Sequence, residues 1–204
     1  MMLKFDEEVL TAGLSSLPLN LRVSFATACA ERLTSAYKRF WEATGRGSHE
    51  RLVELLDRLW LDLEGSVMTG QEVEAGVEGC LSLIPRESDG PWAAGQGQAE
   101  DAAAALTYAY RCRKSGDSHE AAWAARCAYN ALDEYVIDQQ EIDTNVAGAE
   151  AHVLSDPLIQ NELARQQRDL QDLLSVLSGM DGLTVSRLRD RARAESETFF
   201  ELSS

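Results

Sequence analysis

Three carboxylates, Glu134, Asp138 and Glu141, stand four and three residues apart in a stretch that reads as helix. One helix face would therefore offer three oxygen ligands to a hard cation. The rest of such a site is missing from the sequence. Di-iron bundles draw a Glu-x-x-His from each of two helices, and none of His49, His119 or His152 has a glutamate three residues before it. The calcium-loop pattern is absent as well, so the three acids read as a solvated acidic face. His49-Glu50 and His119-Glu120 begin like a zinc-protease helix, but Val53 and Trp123 stand where the second histidine belongs. Cys29, Cys80, Cys112 and Cys127 are far apart, with no Cys-x-x-Cys pair and no zinc spacing. Cys29, Cys80 and Cys112 sit in apolar or small-residue surroundings, where a thiol acts as a small hydrophobe. No Gly-x-Ser-x-Gly elbow presents a serine nucleophile. Neither a metal nor a cofactor is implied.

The segment Gly90-Pro-Trp-Ala-Ala-Gly95-Gln-Gly97 leads into a helix start, the geometry by which backbone amides cradle phosphate. It lacks Gly-Lys-Ser/Thr and a preceding strand, and Glu100 with Asp101 would repel an anion at the positive end of the helix, so a connecting loop is expected. Trp92 in that loop either pins it to the bundle, as the burial of large apolar groups favours, or anchors a contact with a partner. Arg187, Arg189, Arg191 and Arg193 lie in a terminal segment, 183–204, that holds four arginines and four acids. Alternate spacing scatters such charges around a helix, which makes this a salt-bridged terminal helix and not a nucleic-acid groove.

The formal charge of −15 is confined to two stretches. Residues 64–101 carry eight acids against Arg86, and residues 127–164 carry eight acids and no lysine or arginine, which together account for the whole imbalance. Nucleic acid and anionic membrane are therefore poor partners, whereas a basic protein, a polyamine or metal cations would suit those faces if anything does. Solubility alone also accounts for such charge. The acids in Met-Met-Leu-Lys-Phe-Asp-Glu-Glu interrupt what a secretion signal needs, and no apolar run approaches the roughly 20 residues that span a bilayer. With its scattered cysteines the chain is expected to be cytoplasmic.

The elements that would position these groups are helical throughout. Asp6 to Ser16 form a short first helix, and Pro18 and Asn20 open a long second one reaching Gly45 with Ala26, Cys29, Leu33, Ala36, Tyr37 and Phe40 on one face. Ser48 caps a third that carries Leu52, Leu55, Leu56, Leu59 and Trp60, and Thr69 with Glu72 forms a capping box for a fourth. After the loop of residues 85–98, an Ala-rich helix to Ser115 and a partner from Ser118 to about Gln140 should pack as a close antiparallel hairpin. A less regular stretch, 144–154, precedes a long helix opened by Ser155-Asp156-Pro157, with Ile159, Leu163, Leu170, Leu173, Leu174 and Leu177 on its core face. Gly179 and Gly182 break it, and a last helix starts at Thr184. Period-two runs of β-branched residues are missing. The expectation is one all-α domain over residues 1–204, a bundle of about seven or eight helices without a sheet.

The residues Phe25-Ala-Thr-Ala-Cys29-Ala-Glu31-Arg32-Leu, then Tyr37, Phe40 and Thr44-Gly45, resemble the YjaG-like family (DUF416), a bacterial domain of unknown function. Leu56-Asp57-Arg58-Leu59-Trp60, Leu83-Ile84-Pro85, Ser88-Asp89 and Asp156-Pro157 extend the likeness over nearly the whole chain. The resemblance implies an all-helical domain and carries over no catalytic residue. Its nearest approach to a signature, Glu31, Arg32 and Tyr37, would form a buried ion pair and hydrogen-bond network fixing the second helix. The function expected first is a non-enzymatic binding or regulatory protein that meets a more basic partner through Trp92, Glu134, Asp138 and Glu141, an immunity-like role being one form. The alternative is an enzyme or small-ligand protein with a site between helices, built on Glu31, Arg32 and Tyr37 or on Glu100 and Asp101. Oligomeric state does not follow from these residues.

Overall fold

The computed structural model describes residues 2–177 and 185–201. The breaks expected at Gly179 and Gly182 and the helix start at Thr184 lie outside them, as does any placement of the Leu177 side chain.

Ten α-helices follow one another among the described residues, with one 3-10 turn and no strand. They are α1 (Glu7–Ser15), α2 (Leu19–Arg32), α3 (Thr34–Thr44), α4 (His49–Leu63), α5 (Gly70–Leu83), α6 (Gln96–Ser115), α7 (Ser118–Gln140), α8 (Ala149–Leu154), α9 (Pro157–Leu177) and α10 (Val185–Glu197). The caps are those the sequence announces. Asp6 accepts from the Val9 amide, Ser48 from Arg51, and Thr69 and Glu72 satisfy each other's orphan amides in a full capping box.

Two elements depart from the expected eight helices. The stretch before Asp156 contains the short α8, and the long second helix is two, broken at Leu33. Apolar spacing continues unbroken through the joint, which is why periodicity alone cannot see it. Locally, the Leu33 amide bonds back only three residues to Ala30, and the Thr34 hydroxyl donates to the Glu31 carbonyl (2.8 Å), a side chain competing with the helix ladder. Ser196 of α10 then accepts the Ser35 amide, so the interruption is docked on the terminal helix.

The α6–α7 hairpin forms the centre. Ala99, Ala102, Ala103 and Ala109 on α6 and Ala121, Ala122, Ala125 and Ala128 on α7 are fully buried, and their small side chains let the backbones approach. Helix α2 lies across both, α5 and α3 cover α6, α1 and α9 cover α7, and α10 closes over α2. One continuous apolar cluster runs from Leu14 to Phe199, with Leu33, Leu59 and Leu173 essentially inaccessible.

Candidate functional site

Helix α2 ends by burying two opposite charges in succession, and they point to different partners. The side chain of Arg32 is wholly inaccessible. Its Nη2 and Nε donate to Glu162 Oε1 (3.0 and 3.2 Å), its Nη1 donates to Asp169 Oδ2 (2.8 Å), and Nη2 also reaches Cys29 Sγ (3.3 Å). Both carboxylates come from α9. Asp169 Oδ1 is held by Arg168 (2.8 Å) and Arg191 (2.7 Å), Arg168 continues to Glu195 (2.8 Å), and Gln166 joins Glu162 Oε1 to the Ala125 carbonyl of α7. Four helices therefore meet on a charged cluster inside the bundle. Burial alone would raise Asp169, but the guanidiniums of Arg32 and Arg168 beside it hold its carboxyl below the usual carboxylate range. Burial drives the Cys29 thiol far up, with Arg32 only partly opposing, so it stays protonated and is no nucleophile.

Glu31 faces the other way. Its carboxylate accepts from Trp60 Nε1 (2.7 Å) and Arg193 Nε (3.3 Å), and Arg193 and Arg189 of α10 both bond Asp57 of α4 (2.9 and 2.6 Å). Burial pushes the Glu31 carboxyl up despite these donors. Tyr37 is separate again: its hydroxyl donates to the Leu83 carbonyl (2.9 Å) and fills the place a β-carbon would take at Gly47, whose positive φ of 76° also favours glycine. Glu31, Arg32 and Tyr37 are thus three independent ties, not the single network expected of them. All of their polar ends are occupied by protein.

The sequence signal for the Arg32 partners was present but unused. Glu162, Gln166 and Asp169 fall at intervals of four and three on the face of α9 that also carries Ile159 and Leu173. A polar row inside an apolar stripe announces a buried partner on another helix. The arginines of α10 do form salt bridges as expected: Arg189, Arg191 and Arg193 each bind two carboxylates.

Of the four residues expected at a partner surface, Glu134 and Asp138 lie near the end of α7, Glu141 caps it and Trp92 stands in the loop before α6, and the acids do not form a cation site. Glu134 is half-buried, its carboxylate packed against Gly97 in the first turn of α6, and burial with Asp138 and Glu100 nearby pushes its carboxyl up. Asp138 is exposed, and Glu141 is the exposed left-handed cap of α7 (φ 51°). No three His, Cys, Asp or Glu among the described residues are arranged to hold a metal ion. The antiparallel hairpin brings the end of the first acidic stretch and the start of the second together here, since Glu100 and Asp101 on α6 lie across from Glu134. Trp92 is not pinned: it is 66% exposed. Two residues on, Ala94 and Gly95 join Tyr135, Asp138, Arg39 and Phe200 in lining a groove of about 290 Å³. Arg39 stacks over the Phe200 ring at 4.7 Å, so the groove has an aromatic floor.

Asp101 is hydrogen-bonded to the buried Cys127 thiol and opens on a second groove, of about 450 Å³, with Tyr108, Trp123, Arg111 and Arg126. Burial, reinforced by Glu134 and Glu100, pushes its carboxyl up to about 7.

Fold and site together define an all-α bundle organised around a hidden ionic cluster, with its uncompensated acids and an exposed indole at one end. Residues 10–198 match the model of a family described as "Protein of unknown function (DUF416)", and the chain belongs to that family. Among solved structures it is similar to the crystal structure of a DUF416 family protein from Shewanella baltica OS155, at 18% identity and a TM-score of 0.75 over 95% of this chain and 98% of that one. At that identity the likeness speaks for the fold. Comparison with curated proteins finds no match. Membership in DUF416 agrees with the motifs of α2 to α5; the narrower YjaG-like name gains no support from either comparison. Among the described residues no helix is long and apolar enough to cross a membrane.

Proposed function

We propose that the protein is a non-enzymatic binding or regulatory protein, acting in the cytoplasm, that docks a more basic protein on the end formed by the Trp92 loop and the last turns of α7. One observation carries this reading. Within residues 127–164, Glu162 is the only acid with an ion pair among the described residues; Asp133, Glu134, Asp138, Glu141, Asp143, Glu150 and Asp156 have none. Elsewhere Glu31, Asp57, Asp62, Glu120, Asp169 and Glu195 are paired with arginines. A large exposed indole beside carboxylates that lack counter-ions is the composition of a contact in which an aromatic anchor supplies affinity and charge supplies rate and selectivity. An immunity-like role against a basic toxin is one version. The alternative is an enzyme or small-ligand protein with a site between helices built on Glu31, Arg32 and Tyr37 or on Glu100 and Asp101; protein groups already occupy the first three, so its support rests on Asp101, which lines a groove.

The test is affinity capture from the native cell extract at low salt, run in parallel with the wild type, Trp92→Ala, the double reversal Asp138→Lys/Glu141→Lys, and a control reversal at exposed Glu50. The reading expects a basic protein that binds the wild type and the Glu50→Lys control, is lost from the other two, and elutes as salt rises. Equal capture by all four proteins, or an empty eluate at low salt, counts against it.

A further inference from the structure

Helices α9 and α10 border an open trough of about 580 Å³. Its floor is open because small residues face each other there, Ala164 on α9 and Ala194 on α10, both exposed. Its walls are cationic: Arg165, Arg168 and Arg191 line it, against one carboxylate, Glu195. In a chain of charge −15 this is an unusual concentration of guanidiniums.

The three arginines differ in what they already hold. Arg168 is committed to Asp169 and Glu195, and Arg191 to Asp169 and Asp172. Arg165 is not. Its side chain is only 11% exposed, its nearest carboxylate oxygen is Glu162 Oε2 at 3.9 Å, and it makes no hydrogen bond among the described residues. A guanidinium carries five N–H donors and loses most of its hydration when buried to this degree. The Arg191 Nε that lacks a hydrogen bond is itself buried, as are Glu162 Oε2 and Glu195 Oε2, which lack one too, so these atoms lie behind the lining and do not open on the trough. Arg165 therefore brings N–H donors without a hydrogen-bonded acceptor to the lining of an open trough, where a planar oxyanion is the group that matches a guanidinium fork.

Net charge does not drive this. Behind the lining, Arg32 with Glu162, Asp169 and Asp172 brings the cluster to balance, and the two acidic stretches repel anions at long range. At physiological ionic strength that repulsion is screened beyond roughly 8 Å, so local hydrogen-bonding geometry decides.

We propose that the α9–α10 trough binds a small molecule bearing a phosphate or carboxylate group, whose oxygens take the free donors of Arg165 while Arg191 and Arg168 flank it, with Asn161 and Thr198 lining the same trough. The proposal is independent of the partner surface at the Trp92 end. Inorganic phosphate and succinate are titrated separately into the full chain by calorimetry, with sodium chloride at equal ionic strength as control. Saturable binding with a Kd on the order of 1 mM or tighter is expected for one of them, and which one names the source of the oxyanion. Arg165→Gln, which breaks no hydrogen bond, should weaken binding at least about tenfold, the loss of one charge-assisted fork. Ala194→Met, which fills the floor and leaves every arginine in place, should do the same. Arg51→Gln, in a different groove, should change nothing. Absence of saturable binding to the wild type, or equal binding by the wild type and both trough variants, overturns the proposal.

Discussion

Replacing Arg32 with methionine tests the buried cluster directly. Methionine keeps the aliphatic stem of the side chain but removes the guanidinium, and of the three carboxylates it serves Glu195 at 3.7 Å retains Arg168 while the two on α9 fare unequally. Asp169 retains Arg168 and Arg191, both on Oδ1. Glu162 retains only the Gln166 amide at 2.9 Å and Arg165 at 3.9 Å, so one buried charge is left nearly bare. Removing one partner of a buried ion pair costs about 3–5 kcal/mol, and the compensation left to Asp169 sets the expectation near 3 kcal/mol. At roughly 2–4 °C per kcal/mol for a chain of this size, Tm should fall by about 6–12 °C. Glu162→Gln in the Arg32→Met background removes the bare charge and should return about 1–2 kcal/mol, giving a clear non-additive term in the double-mutant cycle. Urea unfolding followed by far-ultraviolet circular dichroism reads all four proteins at pH 7. Acid supplies a second check. The folded-state pKa of Asp169 is depressed, so its contribution is complete above the ordinary aspartate value near 4 and is lost as pH falls through the lower folded value. The gap between wild type and Arg32→Met should therefore narrow at pH 3. A cost below about 1 kcal/mol at pH 7, or simple additivity with Glu162→Gln, would refute the view that Arg32 neutralises charges that have no other partner.

Asp101 has the opposite sign: its folded-state pKa is raised to about 7, so the wild type loses stability as pH climbs from about 4 toward 7. Asp101→Asn should be more stable than wild type by about 1–3 kcal/mol at pH 8 and equal to it near pH 4, and a pH-independent difference in thermal unfolding would contradict the assignment. Gly76→Ala should lose about 1–2 kcal/mol in urea, because a β-carbon there runs into the ring of buried Tyr110, and this overpacking outweighs the roughly 1 kcal/mol that alanine gains in a helix; stabilisation would show the ring can move aside. Trp92→Ala should change stability by less than about 0.5 kcal/mol yet remove the most iodide-quenchable part of the tryptophan fluorescence, since Trp60 is fully buried and Trp41 and Trp123 are only partly exposed; unchanged quenching would mean the indole is covered in solution.

Most of the fold was legible because its signals are local. Ser48, Thr69 with Glu72, and Pro157 mark helix starts through their own side chains, and Gly45 and Gly116 end helices in the left-handed conformation that glycine adopts freely. The break at Leu33 was not legible, since the apolar spacing from Ala26 to Phe40 is that of one helix and the interruption is stabilised from 162 residues away by Ser196. Trp92 shows a different limit. Apolar size predicts burial on average, but whether a loop folds onto the bundle depends on contacts the loop itself makes, and here Arg46 holds the Arg86 and Pro91 carbonyls while the indole beside them stays outside.

The buried site was legible only in halves. Glu31-Arg32 stood out as a pair, and adjacency in sequence suggested that they neutralise each other. Adjacent residues on a helix diverge by about 100°, so two neighbouring charges at a buried helix end each need a partner elsewhere. Arg32 finds its carboxylates on α9 and Glu31 its arginine on α10, and Asp169 and Glu195 are in turn bridged by Arg168. The row Glu162, Gln166, Asp169 draws no notice beside the apolar stripe of its helix, and the alternating arginines of the last helix suggest only salt bridges without naming their partners. Combining them requires the observation that α9 carries carboxylates where its stripe should be apolar, that α10 carries more cations than its own acids can engage within one turn, and that α2 offers one charge of each sign. That bookkeeping pairs every charge in the cluster, Arg165 most loosely at 3.9 Å from Glu162, and among the described residues of the cluster it is the guanidinium without a hydrogen bond that lines the space between the two helices with Arg168 and Arg191.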